Sequence, residues 1–323
     1  MQKDSRIFVA GHGGLVGSAL RRGLEARGYS NLLLRTHAEL DLADRSAVRT
    51  FFRQQRPEFV FLAAAKVGGI YANDTFPADF IRENLEIQTN VIDAGYRNGV
   101  ERLLFLGSSC IYPKLAPQPI KEESLLTGPL ESTNRAYALA KIAGVEMCRA
   151  YNAQHGTRYL AAMPTNLYGP GDNFDPKLSH VLPALMRKVA EAKRAGQRKL
   201  VVWGTGTPRR EFLYSDDLAE ACIHLLNLPD AQYDSLLHQG DAPLINIGTG
   251  EDLTIRELAE LIAKVLDFDC EIVLDLSQPD GTPQKLLDVS RIQALGWKAQ
   301  TCLAAGIGLT YEAARAQLEA PQK

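Results

Sequence analysis

Ile7-Phe8-Val9-Ala10 runs straight into Gly11-His12-Gly13-Gly14-Leu15-Val16-Gly17, and the reading of that stretch decides the fold. Four consecutive apolar residues, with no polar alternation, predict a strand buried on both faces. The glycines follow in GxxGxxG spacing. Glycine lets a backbone turn tightly, approach a pyrophosphate, and bring the next helix close to the sheet. Beyond them, Leu15–Arg27 places Val16, Ala19, Leu20 and Leu24 along one face, as an amphipathic helix does. The start of such a helix offers unpaired N–H groups and a positive dipole end to a phosphate. Strand, glycine turn and helix in that order predict a dinucleotide site rather than a merely structural turn.

The same alternation continues outward. Leu32–Leu34, Phe59–Ala65, Leu103–Leu106 and Tyr159–Met163 are further apolar runs, and Asp79–Asn98 and Arg135–His155 are long helical stretches between them. Repeated strand–helix units imply a parallel sheet covered on both sides with right-handed crossovers. The fold class is therefore α/β, with a Rossmann-type doubly wound parallel sheet. Near Gly169 the character changes. Pro164, Pro170, Pro176 and Pro183 interrupt the chain, and the periodicity predicts helices at His180–Ala195, Ser215–Asn227 and Thr254–Leu266. The last opens on a capping box, Thr254 with Glu257. Short strands are expected at Leu200–Trp203, Leu244–Ile247 and Glu271–Leu274. Residues 1–170 plus about 204–240 read as the cofactor-binding domain. Residues from about 171 to 203 plus 241–323 read as a smaller, interleaved C-terminal α/β substrate domain.

Composition narrows the function class. With 36 basic against 38 acidic residues in 323, nothing favours a nucleic acid or an anionic membrane as partner. No stretch approaches the roughly 18 apolar residues of a membrane span, and the first ten residues do not read as a signal peptide. Five scattered cysteines make no disulfide framework. A cytoplasmic protein with free thiols is expected.

Which dinucleotide binds is read at the end of the second strand. An NAD site usually places an acid there, about 20 residues past the glycines, for the ribose 2′-OH. This chain has Leu34-Arg35-Thr36-His37, with no acid before Glu39. Arg35, with His37, suits a 2′-phosphate, so NADP(H) is the expected cofactor; the alternative for Arg35 is a solvated surface residue. Asp41 and Leu42 stand where a loop can reach the adenine.

Tyr137 and Lys141 are one helical turn apart and share a face. A phenol ordinarily titrates near 10, too high for efficient proton exchange at neutral pH. A neighbouring ammonium stabilises the phenolate and lowers that value. Gly107-Ser108-Ser109 follows the fourth strand at the edge where open parallel sheets bind ligands, so Ser108 is expected to bond a substrate carbonyl and Tyr137. Cys110, two residues on, reads either as a base or as a small buried hydrophobe. His180 reads either as a general acid or as a helix-capping or surface histidine. Asn166 follows the fifth strand. Trp203 can stack on a base or sugar ring or fill a core, and Arg210 and Lys188 can pair with phosphate or face solvent.

Ala63–Ile70, Leu106–Lys114 (Leu-Gly-Ser-Ser-Cys-Ile-Tyr-Pro-Lys), Met163–Pro170 (Met-Pro-Thr-Asn-Leu-Tyr-Gly-Pro) and Pro279–Asp288 resemble the extended short-chain dehydrogenase/reductase family of nucleotide-sugar enzymes. The likeness runs from about Arg6 to Tyr311. It points to the branch that epimerises C3 and C5 and reduces C4 of a GDP-4-keto-6-deoxy-sugar with NADPH. It implies Cys110 as epimerisation base, His180 as acid, and Tyr137 as proton donor to O4 supported by Lys141 and Ser108. It implies cofactor contacts from the glycine loop, Arg35, His37, Asp41, Leu42, Ala64, Leu106, Gly107, Pro164, Asn166, Leu167 and His180 besides the triad. Substrate contacts would come from Ser108, Ser109, Cys110, Asn166, Lys188, Trp203, Arg210 and Asp280. No metal is implied, and a homodimer through Asp79–Asn98 and Arg135–His155 is. Relatives carry arginine where this chain has Gly13 and His37, which implies a narrower margin of NADPH over NADH. The competing readings are a 4-epimerase or 4,6-dehydratase, or a silent NADPH-binding module. Against the first stand Ser108, where those enzymes often carry threonine, and the lack of an acid near position 36. Against the second stands the complete set of reactive residues.

Overall fold

The computed structural model describes residues 1–175, 179–278 and 280–319. Pro176 and Pro279, quoted above, lie outside them. The strands in chain order are β1 Ile7–Ala10, β2 Leu32–Leu33, β3 Phe59–Leu62, β4 Arg102–Leu106, β5 Tyr159–Pro164, β6 Asn166–Tyr168, β7 Lys199–Trp203, β8 Arg209–Tyr214, β9 Leu244–Ile247, β10 Asp252–Thr254, β11 Glu271–Asp275 and β12 Gln284–Lys285. The helices are α1 Leu15–Ala26, α2 Arg45–Gln55, α3 Ile70–Thr75, α4 Pro77–Arg97, α5 Arg135–His155, α6 Val181–Arg194, α7 Ser215–Leu226, α8 Asp230–Leu237, α9 Ile255–Val265, α10 Ser290–Ala294 and α11 Leu303–Glu319.

Six strands form one parallel sheet in the order β2-β1-β3-β4-β5-β9. This is the expected doubly wound, Rossmann-type sheet. Its continuous apolar strands are buried because α1 and α7 cover one face while α2, α4 and α5 cover the other. The chain winds outward in both directions from β1 and β3, and the crevice for a ligand opens at that reversal. The pairing register puts Ala10 beside Leu62 and Leu62 beside Phe105, with Leu106 beside Ala162, so these strands end along one edge.

A second cluster, including Leu182, Met186, Val202, Phe212, Tyr214, Leu258, Ile262 and Ile307, forms under α6, α9 and α11. Its sheet is built on β8, which pairs with β6, β10 and β12; β7 and β11 form a separate parallel pair.

Two strands pair across the expected domain bounds. Leu244–Ile247 joins the main sheet beside β5, because all four residues are buried and complete its edge. Arg209–Tyr214, placed by sequence in the cofactor domain, instead organises the outer sheet. Its charged start, Arg209-Arg210-Glu211, hides a strand from a search for apolar runs. The Phe59–Ala65 run stops as a strand at Leu62, and Ala63–Ala65 turn away beneath the glycine loop. Helix α2 was not legible among its arginines and glutamines. Asp44 starts it by accepting from Ser46 N at 2.8 Å and Ala47 N at 3.0 Å.

Candidate active site

The glycine loop has the form a pyrophosphate needs. Gly11 turns at φ +85°, and a Cβ there would stand 2.7 Å from Ala64 N. A side chain on Gly17 would run into the Gly11 carbonyl. Gly14 caps α1 with no side chain occupying the first-turn N–H groups, which are left for an anion. A Cβ on Gly13 would meet nothing within 4 Å, and the buried Nδ1 of His12 has no partner among the described residues. These features fit a dinucleotide cradled between the β1 and β3 ends.

After β2, Arg35 donates to Leu34 O at 2.7 Å and lies 5.6 Å from the Phe51 ring centroid. His37 is exposed, its Nδ1 3.8 Å from Asp41. Arg35 and His37 stand on the loop where a 2′-phosphate is expected. Asp41 accepts from Ala43 N at 2.9 Å, and Leu42 O accepts from Asn90 at 2.9 Å. They shape the turn into α2.

The β4 end builds the reactive centre. A side chain on Gly107 would displace the tip of the Met163 side chain, which fills that space. Ser108 caps a short turn, Ser109–Ile111, accepting from Cys110 N at 3.4 Å. Tyr137, in the first turn of α5, packs edge-on against Phe80, with centroids 6.1 Å apart. Lys141, one turn on and buried, donates to Leu106 O at 2.7 Å. Burial pushes the Tyr137 phenol far above its ordinary value, with Cys110 adding and Ser108 opposing. Burial also presses Lys141 down to about 8, against the pull of Cys110. Desolvation is the largest influence on the phenol. In this state Tyr137 holds its proton and is a donor.

Cys110 is buried, and burial raises its thiol, opposed by the nearby Lys285, the Ser108 hydroxyl and Lys141. His180 stands at the N-cap of α6 but makes no side-chain cap hydrogen bond, which removes the bland reading of it as a capping residue. Burial lowers its imidazole, and Lys285 lowers it further. Ser108, Cys110, Tyr137 and Lys141 thus act on one another at the end of β4, while His180 lies at the start of α6, where the residue as a whole is exposed. Sequence reasoning missed Lys285. The residue lies inside the quoted string that begins at Pro279, but its position beside Cys110 depends on β12 pairing with β8.

Asn166 donates to Glu211 O at 2.8 Å, which fixes β6 against β8. Lys188 donates to Val201 O at 3.0 Å and lies 5.0 Å from the Trp203 ring centroid. Trp203 is 55% exposed, so it is no core residue but an open stacking surface beside a cation. Arg210 donates to Arg209 O at 2.8 Å, and a Cβ on Gly281 would stand 2.9 Å from its Nη2. Asp280 accepts from Thr205 N at 3.0 Å and Thr205 Oγ1 at 2.7 Å. It secures the turn after Trp203, at Gly204 with φ +72°. No helix among the described residues is long and apolar enough to cross a membrane, and no group of three or more metal-ligating side chains is found among them.

A model of the NAD dependent epimerase/dehydratase family matches residues 7–248. Over 310 residues the chain is 57% identical to GDP-L-fucose synthase 1 of Arabidopsis thaliana, covering 96% of this chain and 93% of that protein. It is 55% identical over 309 residues to GDP-L-fucose synthase of Escherichia coli K12, covering 95% of each. Among solved structures, a GDP-D-glycero-L-gluco-heptose synthase from Campylobacter jejuni, in the presence of NADPH, superposes with a TM-score of 0.89. It is 39% identical and covers 98% of this chain and 99% of its own.

Proposed function

The chain belongs to the NAD dependent epimerase/dehydratase family, and from that premise we propose that it converts GDP-4-keto-6-deoxy-D-mannose to GDP-L-fucose, inverting C3 and C5 and reducing C4 with NADPH. The observation that carries this reading is the joining of two sets of groups. Ser108, Tyr137 and Lys141 suffice for a ketone reduction. Cys110, buried at the end of β4, and His180, exposed at the start of α6, have no task in a reduction but are what two epimerisations need.

The C4 ketone acidifies the hydrogens on C3 and C5. Cys110, as thiolate, takes such a proton and becomes a thiol while the electron pair enters an enolate. His180, as imidazolium, returns a proton to the same carbon from the opposite face and becomes neutral. Exchange with solvent resets both groups before the second inversion. NADPH, when bound, supplies the hydride for C4. The glycine loop and Arg35 would hold its phosphates, with His37 beside Arg35. Tyr137 then gives its proton to O4, Ser108 orients the carbonyl, and Lys141 stabilises the phenolate that forms. Lys188, Trp203 and Arg210 suit a GDP moiety, the indole by stacking and the cations by charge. A homodimer through the outer faces of α4 and α5 and a cytoplasmic setting belong to the same reading; the five free cysteines suit a reducing compartment.

The test is turnover of GDP-4-keto-6-deoxy-D-mannose in D₂O, followed by NADPH absorbance and product NMR. NADPH loss with deuterium at C3 and C5 supports the epimerase–reductase. NADPH loss without deuterium leaves a simple 4-keto reductase and removes Cys110 and His180 from the mechanism. Cys110→Ser is expected to abolish deuterium uptake while NADPH binding persists, and full uptake in that variant overturns the base assignment.

A further inference from the structure

The segment Asp280-Gly281-Thr282 leads into β12 and is tied down at both ends. The Asp280 carboxylate accepts from Thr205 N at 3.0 Å and Thr205 Oγ1 at 2.7 Å, which fastens it to the turn between β7 and β8. Thr282, buried, donates to Glu131 at 3.3 Å, in the stretch before α5. Glu131 also pairs with Lys114 at 3.0 Å. That end of the segment is therefore fastened to the body that carries Tyr137, and Gly281 is held between two fixed points.

Gly281 stands against Arg210 of β8. A Cβ there would lie 2.9 Å from Arg210 Nη2 and 3.7 Å from Ile70 Cδ1 of α3, and beyond its chain neighbours it would meet nothing else within 4 Å among the described residues. The backbone does not call for glycine, because the φ of Gly281 lies outside the left-handed region. What the missing side chain leaves is the space that the guanidinium uses. Arg210 Nη1 donates to Arg209 O at 2.8 Å, which fixes one corner of the fork. Nη2 has no hydrogen bond or ion pair among the described residues. The carboxylates at the two ends of the segment are engaged elsewhere. Thr205 takes both oxygens of Asp280, and those of Glu131 go to Ser132, at 3.2 Å, and to Lys114 and Thr282. A half-buried guanidinium with one corner fixed and another open suits an incoming anion.

We propose that Gly281 is a positioning residue for the substrate phosphates, its bare Cα seating the Arg210 guanidinium where it pairs with the diphosphate of the nucleotide sugar. The inference rests on the reading of Arg210 as a GDP contact. The segment that forms the seat is fastened to both bodies, so the phosphate site is set by their joint and not by β8 alone.

The test is a double-mutant cycle on GDP affinity, measured by titration calorimetry, with Gly281→Ala and Arg210→Ala alone and together. Arg210→Ala is expected to weaken GDP binding by roughly 10- to 100-fold, the worth of a charged hydrogen bond. Gly281→Ala should weaken it by about tenfold, and the two together no more than Arg210→Ala alone. The added methyl meets only the movable ends of two side chains, so the urea midpoint and the NADPH affinity of Gly281→Ala should stay those of the parent. Thr282→Val frees the segment from Glu131 without enlarging Gly281, and a loss of about threefold in GDP affinity is expected; this variant decides the matter if Gly281→Ala does not fold. Parent-like GDP affinity in Gly281→Ala, or a loss that multiplies in full with that of Arg210→Ala, overturns the proposal, as does parent-like affinity in Thr282→Val where that variant decides. If Arg210→Ala itself binds GDP as the parent does, the reading of Arg210 as a phosphate contact is what fails, and the seat has no ligand to set.

Discussion

Replacing Lys141 with methionine should weaken catalysis and strengthen the fold, and the two signs come from the same charge. The Lys141 ammonium lies 5.7 Å from the Tyr137 ring centroid. At an effective dielectric of about 20, a unit charge at that distance stabilises a phenolate by ~3 kcal/mol, or roughly 100-fold in the rate of proton donation to O4. The stability side has two opposing parts. Burial depresses Lys141 from 10.5 to about 8, so the charged form is disfavoured in the folded chain. That penalty is absent above 10.5, grows as pH falls from 10.5 to about 8, and is complete below that, at about 3 kcal/mol. Methionine removes the penalty but leaves Leu106 O without its donor, which costs about 1 kcal/mol. The net expectation near pH 7 is a gain of roughly 1–2 kcal/mol, with packing against Phe105 retained by a side chain of similar length. Single-turnover NADPH oxidation, followed from about pH 6 to pH 10, reads the first effect. The parent rate should be level below 8 and fall above it as the ammonium is lost, while Lys141→Met should be slow and level throughout. Urea unfolding reads the second. A variant within about threefold of the parent rate, or one that keeps a fall centred near 8, would falsify the role given to this charge.

Two further outcomes test the cofactor end and the frame behind the substrate site. Arg35→Ala should weaken NADPH binding by roughly 10- to 100-fold, the worth of a charged hydrogen bond, and leave NADH nearly unchanged; equal loss for both cofactors would show that Arg35 does not read the 2′-phosphate. Glu211→Gln should destabilise the chain by about 2–4 kcal/mol in urea. The carboxylate is fully buried and accepts from Thr249 N at 2.6 Å, Gly250 N at 2.8 Å and Leu287 N at 3.0 Å. An amide keeps one oxygen for the first two and turns its own donors on the third; a loss under about 1 kcal/mol would mean the network relaxes around the change.

The parts of the fold legible in the sequence are those fixed by local rules. Ile7–Ala10, Arg135–His155 and Leu244–Ile247 stand where the apolar runs and the 3.6-residue period put them. The glycine loop and the Tyr137–Lys141 pair were legible because each is one short motif whose geometry follows from spacing. Helix α2 and strand β8 were hidden by their arginines, since a half-buried element with charged neighbours has no clean period. The strand pairing across the expected domain bounds was hidden for a different reason. Residues 204–297 cross between the two bodies more than once, β8 serving one and β9 the other, and no compositional change marks the crossings. Asp280 could be named from resemblance, but its work in holding Thr205 depends on a turn that only the folded chain forms.

The site must solve one conflict that no local motif addresses. Tyr137 has to keep a proton until O4 needs it, and Cys110 has to give one up, although both sit in the same desolvated neighbourhood and burial alone raises both. Acid and base roles separate only when their surroundings differ. Here the difference lies in where the cations stand. Lys141 is tied to Leu106 O on the sheet side, where it leaves the resting phenol protonated and acts once charge develops. On the thiol, burial is opposed by Lys285, the Ser108 hydroxyl and Lys141. On the proposed reading a reductase needs only Ser108, Tyr137 and Lys141, and proton transfer at carbon is the task that would fall to Cys110 in the turn after β4 and to His180 at the start of α6.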